Sequence, residues 1–196
     1  MSRKASIERQ TAETNIRVRL DLDGSGKWQG SSGIPFFDHL LAQLARHGLL
    51  DLEVRAEGDL EVDNHHTIED IGICLGEALK QALGDKAGIN RYGHTLIPMD
   101  DALVQVALDC SGRPYLACDL GLPAGRIGGL ETELLEEFLR AFVNHSGLTL
   151  HVQKLAGHNS HHVAEALFKA LGRAMREAAG LDPRVEGIPS TKGNLA

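Results

Sequence analysis

The sequence predicts an α+β fold: two duplicated α/β halves, paired so that a four-helix layer lies between two mostly four-stranded mixed sheets. Two kinds of periodicity and one internal repeat predict it. Stretches such as Asn15–Leu22 alternate apolar and polar residues with period two, as half-buried strands do. Other stretches carry apolar residues three and four apart, as on one face of a helix. The same order of strands, helix, strand and long helix then occurs twice.

The elements follow in order. Residues 5–10 and 15–22 are predicted strands, and Asp23–Gly26 (DGSG) is a turn. Pro35 opens a helix carrying Phe36, Phe37, Leu40, Leu41 and Leu44, and Gly48 ends it. Residues 49–58 form a strand. A helix from about His65 to Leu83 has Ile68, Ile71, Leu75 and Leu79 on one stripe, and Gly84 stops it. Residues 94–108 hold two strands, followed by a turn at SGRP. Residues 130–145 are a helix, 148–155 a strand, and Ser160–Ala179 a long helix.

Three offsets align the halves. A shift of 96 brings His65, His66, Glu69 and Gly76 onto His161, His162, Glu165 and Gly172. A shift of 98 brings His47, Leu52 and Val54 onto His145, Leu150 and Val152. A shift of 88 brings Val18, Leu20 and Asp21 onto Val106, Leu108 and Asp109. The chain therefore reads as one domain over 1–196, with repeats at about 1–90 and 91–182 and a tail at 183–196.

Composition narrows the function. Apolar residues make up 42% and aromatics 4%, so aliphatic side chains must fill the core. The net charge of −7 argues against a nucleic-acid partner. No apolar run approaches the ~18 residues of a membrane span. The start MSRKAS has no apolar stretch behind it, which predicts no signal peptide. Three cysteines without a CxxC pair fit a reduced, cytoplasmic setting.

Five of the ten histidines fall in DNHHTIED and GHNSHHVAEA. Each cluster reads His-His-x-x-Glu at a helix start. Neighbours on a helix point about 100° apart, so adjacent histidines do not easily share one ion. Residues three or four apart do share a face, so each Glu can join one of its histidines at a metal. A lone His-His pair is usually surface decoration; a duplicated pair with Glu at a fixed offset is a stronger sign. Two such clusters suggest two metals, each with ligands from both halves. Imidazole and carboxylate together suit Mn, Fe, Co or Zn rather than a structural zinc knuckle. His39, one helix upstream, is a further candidate ligand, and its mate under the 98 shift is Glu137. His47 and His145 sit at helix ends, where capping is as good a reading. His94, His151 and His158 read as structural or exposed.

Together RQTAET, PFFDHLL, DNHHTIED, INRYGH, SGRPYL, NSHHVAEALFKALGRA and PSTKG make the chain resemble imidazoleglycerol-phosphate dehydratases, over nearly its whole length. The resemblance implies a histidine-biosynthesis lyase with two Mn2+ per active site, assembled as a hollow 24-subunit homo-oligomer with sites shared between subunits. It implies one metal on His39, His66, Glu69 and His162, and another on His65, His161, Glu165 and the residue at 137. Several relatives carry His where this chain has Glu137; a carboxylate can replace imidazole at such an ion. Glu136, its neighbour in an acidic run, is the alternative ligand. The resemblance further implies that Arg91, Arg113, Lys169, Ser190 and Lys192 hold the substrate phosphate, that Gln43 contacts substrate, and that Glu13 is the general acid/base. Glu165 and His65 also count as catalytic.

The family reaction expels water from a carbon chain with no carbonyl to acidify the departing proton. The imidazole ring offers a route: as an imidazolate bound by two metals it can expel the neighbouring hydroxyl, through a diazafulvene-like species, to an enol and then the ketone. The competing readings are a metal-dependent hydrolase and a metal-binding shell protein; the latter would not need Arg91, Arg113 and the tail together.

Overall fold

Alternation along the first residues produces a pair of antiparallel strands, β1 (Lys4–Gln10) and β2 (Thr14–Asp21), with Ile16, Val18 and Leu20 turned inward. The computed structural model describes residues 3–195. The first half continues with β3 (Trp28–Ser31), α1 (Pro35–Gly48), β4 (Asp51–Gly58) and α2 (His65–Leu83). The second half holds β5 (Tyr92–Met99), β6 (Ala102–Asp109), β7 (Tyr115–Asp119), the two-residue strands β8 (Arg126–Ile127) and β9 (Leu130–Glu131), α3 (Leu134–Ser146), β10 (Thr149–Ala156) and α4 (Ser160–Ala179).

The strand orders are β1-β2-β4-β3 and β5-β6-β10-β7. In each sheet only the last pairing is parallel, so both are mixed. The registers repeat as the sequence offsets require. Leu20 lies opposite Leu52 as Leu108 lies opposite Leu150, and Trp28 pairs with Leu52 as Leu116 pairs with Leu150.

The helices lie between the sheets, and their partners cross from half to half. α1 packs on α4, and α2 on α3. Two repeat-related glycines permit this. A Cβ on Gly76 would stand 2.6 Å from the Phe142 carbonyl oxygen, and one on Gly172 would stand 2.5 Å from that of Leu44. Four of the five phenylalanines meet where the helices converge: Phe37, Phe138, Phe142 and Phe168 are fully buried, with Phe138 5.2 Å from Phe37 and 5.5 Å from Phe168. Burying such a ring contributes about 1.5–3 kcal/mol. The few aromatic residues thus form the centre of a core that is otherwise aliphatic.

Three local expectations need correction. Residues 130–133 are not helical: Leu130 and Glu131 pair with Arg126 and Ile127, and Thr132 bonds back to the carbonyls of Pro123 and Gly125. α1 does not end by virtue of Gly48, which is helical. Leu49 takes the left-handed conformation (φ 52°), as its repeat mate Gly147 does after α3 (φ 72°). Gly48 serves packing instead, since its Cβ would approach the Gly172 carbonyl to 3.2 Å. The fourth strands, β3 and β7, escape pattern reading because they are short edge strands with little alternation.

Candidate metal and substrate site

Both histidine clusters open a long helix, and a side chain two residues earlier accepts the backbone N–H of the first histidine in each. The Asn159 side chain accepts from the backbone N–H of His161 at 3.0 Å, and Asp63 accepts from that of His65 at 2.8 Å. These two bonds fix where each pair of rings leaves its helix. In both pairs the neighbouring rings stand nearly perpendicular, 6.1 Å apart, so they address different partners.

In the second half those partners converge. His161 Nε2 lies 2.9 Å from Glu165 Oε1, one helical turn on. His39 reaches the same oxygen from α1, with Nε2 at 2.8 Å. Glu165 Oε2 takes Lys169 Nζ at 2.7 Å. The Glu165 side chain is only 8% exposed. Burial raises the pKa of its carboxyl, but the bonds from Lys169, His39 and His161 outweigh that and hold it at about 2. Phe36 covers the group, its ring 4.9 Å from that of His161. Among the described residues this is the one cluster whose three donor atoms lie within 4.8 Å of each other. Two imidazole nitrogens and a carboxylate oxygen aimed at one point fit a borderline divalent ion.

His66 and His162 face other carboxylates. His66 Nδ1 donates to Asp59 at 3.0 Å, which raises the ring's pKa, and its Nε2 stands 3.9 Å from Glu13. His162 Nδ1 donates to Asp101 at 2.7 Å. Asp101 also accepts the backbone N–H groups of His158 and Asn159, and these bonds hold its carboxyl far below the usual range. Glu136 accepts from Arg140 at 2.5 Å, and Glu137 stands 3.8 Å from the same guanidinium.

The set of His39, His66, Glu69 and His162 belongs to sites that the resemblance implies are shared between subunits; within one chain, His39 joins His161 and Glu165. Cross-half packing of α1 on α4 decides this. Gln43 is close by, its Nε2 3.4 Å from His39 Nε2. Lys169 sits on Glu165 and on Met99 Sδ at 3.1 Å, away from the other cations assigned to phosphate.

Those other cations gather at the far end of α4. Arg91 makes a two-pronged contact with Asp109 at 2.7 and 3.1 Å and donates to the Pro189 carbonyl, which ties down the tail. Ser190 Oγ accepts the backbone N–H of Lys192 at 3.2 Å. Arg113 is 64% exposed and reaches Asp109 only at 3.9 Å, so its charge is available to an anion.

A family model described as imidazoleglycerol-phosphate dehydratase matches residues 32–175, which include both histidine clusters and Arg113. The chain belongs to the imidazoleglycerol-phosphate dehydratase family. It is 78% identical to the imidazoleglycerol-phosphate dehydratase of Moorella thermoacetica over the whole of both chains. Its fold is similar to that of the Staphylococcus aureus dehydratase, with TM-score 0.83, 36% identity and coverage of 91% of this chain and 99% of that one. It is equally similar to the Pyrococcus furiosus dehydratase solved with (S)-C348: TM-score 0.83, 38% identity, and 96% and 100% coverage. Imidazoleglycerol-phosphate dehydratases are hydro-lyases of histidine biosynthesis, so this chain is an enzyme whose substrate is a small phosphorylated molecule.

Sequence reasoning missed Asp59, Asp101, Phe36 and Asn159. Phe36 lay in the quoted PFFDHLL and Asn159 in NSHH, and an asparagine two residues before a helical histidine is a readable cap. Asp101 is visible in the sequence only as the mate of Glu13 under the shift of 88, and Asp59 carries no motif; their contacts with the histidines come from the strands that place them.

Proposed function

We propose that this chain dehydrates imidazoleglycerol phosphate to imidazole-acetol phosphate in the cytoplasm, with two Mn2+ ions per active site. The convergence of His39 Nε2 and His161 Nε2 on one oxygen of the buried Glu165 carries the reading. When bound, the ions supply positive charge that lets the substrate's imidazole ring hold negative charge as the hydroxyl leaves. His39, His161 and Glu165 would hold one ion; His65, His66, Glu69, His162 and Glu137 complete the ligand set that the resemblance implies.

The chain's own groups supply the rest. Lys169 occupies Glu165 Oε2 and so directs Oε1 toward the two histidines. Glu13, in the β1–β2 turn beside His66, is placed to take the proton lost from carbon. That proton and the hydroxyl make the departing water. Arg113, with Lys192 and Ser190 of the tail, binds the phosphate, while Arg91 holds the tail in position.

Geometry also supports a shared site. The Arg91 backbone N–H donates to the Ala178 carbonyl near the end of α4, whereas Glu165 lies near the start. Thirteen residues of helix separate them, about 20 Å along the axis. The substrate spans roughly 10 Å fully extended, about half that separation, which favours a site that draws its phosphate group and its metal group from different subunits. Subunits of a homo-oligomer would combine them; the figure of 24 follows the family resemblance.

Incubating the enzyme with imidazoleglycerol phosphate and Mn2+ tests the reading. The expected product is the ketone, with no inorganic phosphate, and a chelator abolishes its formation. Phosphate release would favour the hydrolase, and absence of any turnover the metal-binding shell.

A further inference from the structure

The second histidine of each cluster has a carboxylate on its Nδ1, and the two carboxylates are not repeat mates. Asp59 follows the end of β4; Asp101 lies in the two-residue turn between β5 and β6. Under the offset of 88, Asp101 matches Glu13. The registers agree, since Gln10 pairs with Asn15 as Pro98 pairs with Leu103. A contact merely inherited through duplication would draw its carboxylate from the same place in both halves. Here the same contact is made twice by different routes.

The distances say which ring nitrogen carries the proton. An ionised carboxylate only accepts, so the closer nitrogen must be the N–H. For His162 the Nδ1 contact is 2.7 Å, while at Nε2 the Asp100 carboxylate stands at 3.5 Å and the Asn159 amide nitrogen, a donor, at 3.4 Å. For His66 the Nδ1 contact is 3.0 Å and the nearest carboxylate to Nε2, that of Glu13, is at 3.9 Å. Asp101 cannot swing away, because the N–H groups of His158 and Asn159 hold its other side at 2.6 and 3.1 Å.

We propose that Asp59 and Asp101 are positioning residues that keep the proton of His66 and His162 on Nδ1, presenting Nε2 of each ring as the lone-pair donor to a divalent metal. Imidazole ligands to metals depend on such a partner for their tautomer and orientation. The assignment rests on the metal reading above. It also separates Glu13 from its mate: Asp101 is tied to a ring and two amides, while among the described residues the Glu13 carboxylate has only the distant His66 contact.

Two measurements on the full-length enzyme test it. In 1H–15N spectra of the metal-free protein, His66 and His162 should show the Nδ1–H form. In Mn2+ titrations, Asp59→Ala and Asp101→Ala should each weaken binding by about ten- to a hundredfold. Asp59→Ala should add no further loss to His66→Ala, nor Asp101→Ala to His162→Ala. Asp101 also holds the backbone amides of His158 and Asn159 just before α4, so Asp59→Ala, which breaks no backbone contact, keeps the test independent of folding. An Nε2–H form in the native protein, unchanged affinity in the aspartate variants, or additive losses in the paired variants would overturn the assignment, each pair standing by its own cycle. If His66→Ala and His162→Ala themselves leave Mn2+ binding unchanged, the metal reading fails; if they weaken it and the aspartate variants do not, only the positioning role fails.

Discussion

The two halves share a register, a helix order and a pair of histidines, yet they treat the following glutamate differently. Glu165 is closed on by His39, His161 and Lys169, whereas Glu69 belongs to no comparable cluster among the described residues. The residues one offset away explain the difference. α3 carries Glu137 where α1 carries His39, and Ile73 stands where α4 has Lys169. An imidazole N–H and an ammonium attract a carboxylate; a second carboxylate repels it, and an isoleucine does neither. The Glu137 side chain lies near Arg140 instead. A duplicated His-His-x-x-Glu motif can therefore be preassembled in one copy and left open in the other.

Replacing the two glutamates is the most severe way to break that comparison. Glu165→Gln should cost at least about 100-fold in Mn2+ affinity and in turnover, since direct ligands matter more than their supporting partners. It should also leave Lys169 without its counter-charge. Glu69→Gln should lose comparable metal affinity with a smaller loss of thermal stability, because no lysine depends on it. Equal stability losses, read from melting curves, would mean that the preassembled group has no structural weight.

Glu137 sharpens the comparison further. Glu137→Ala should remove close to one metal per subunit, measured by elemental analysis after dialysis, while Glu136→Ala, whose partner is Arg140, should remove none. Full occupancy in the Glu137 variant would end its role as a ligand. Glu137→His would make α3 resemble α1 and should keep the metal.

The phosphate end differs between halves as well, since Arg113 stands where the first half has Ser25. Arg113→Ala should raise KM ten- to a hundredfold, from loss of a charge-assisted contact of about 1.5–3 kcal/mol, with metal content unchanged. Falling metal content would reveal a structural role. The smallest effect concerns the helix ends. Leu49 and Gly147 share a left-handed conformation that strains any residue with a Cβ, so Leu49→Gly should stabilise the fold by about 1 kcal/mol in chemical denaturation. A loss of stability would show that the half-exposed Leu49 side chain contributes more by packing than its backbone costs.

Much of this was legible in the sequence because periodicity and duplication are local or nearly so. The four helices, six of the eight main strands and both His-His-x-x-Glu clusters follow from spacing alone. What was not legible depends on which element packs on which. Nothing in PFFDHLL says that His39 will meet His161 rather than His66; the docking of α1 on α4 says so. β3, with Gly30 pressed against Val54, has no alternation of its own and is a strand because β4 offers it an edge. Residues 130–133 have helical composition, and the Thr132 hydroxyl claims their backbone for a turn.

The exchange of helices between halves also has a consequence in time. α1 packs on α4, and α2 packs on α3 as well as on its own sheet, so the first ninety residues can lay α2 on β1, β2 and β4 but leave the faces turned to α4 and α3 uncovered. At roughly 5–20 residues per second, another ninety residues take about 5–20 s to follow. During that interval Phe37, Leu40, Leu41 and Leu44 have no native partner on α4. A nascent first half thus keeps that apolar face of α1 exposed, and the last helix to be made is the one that covers it.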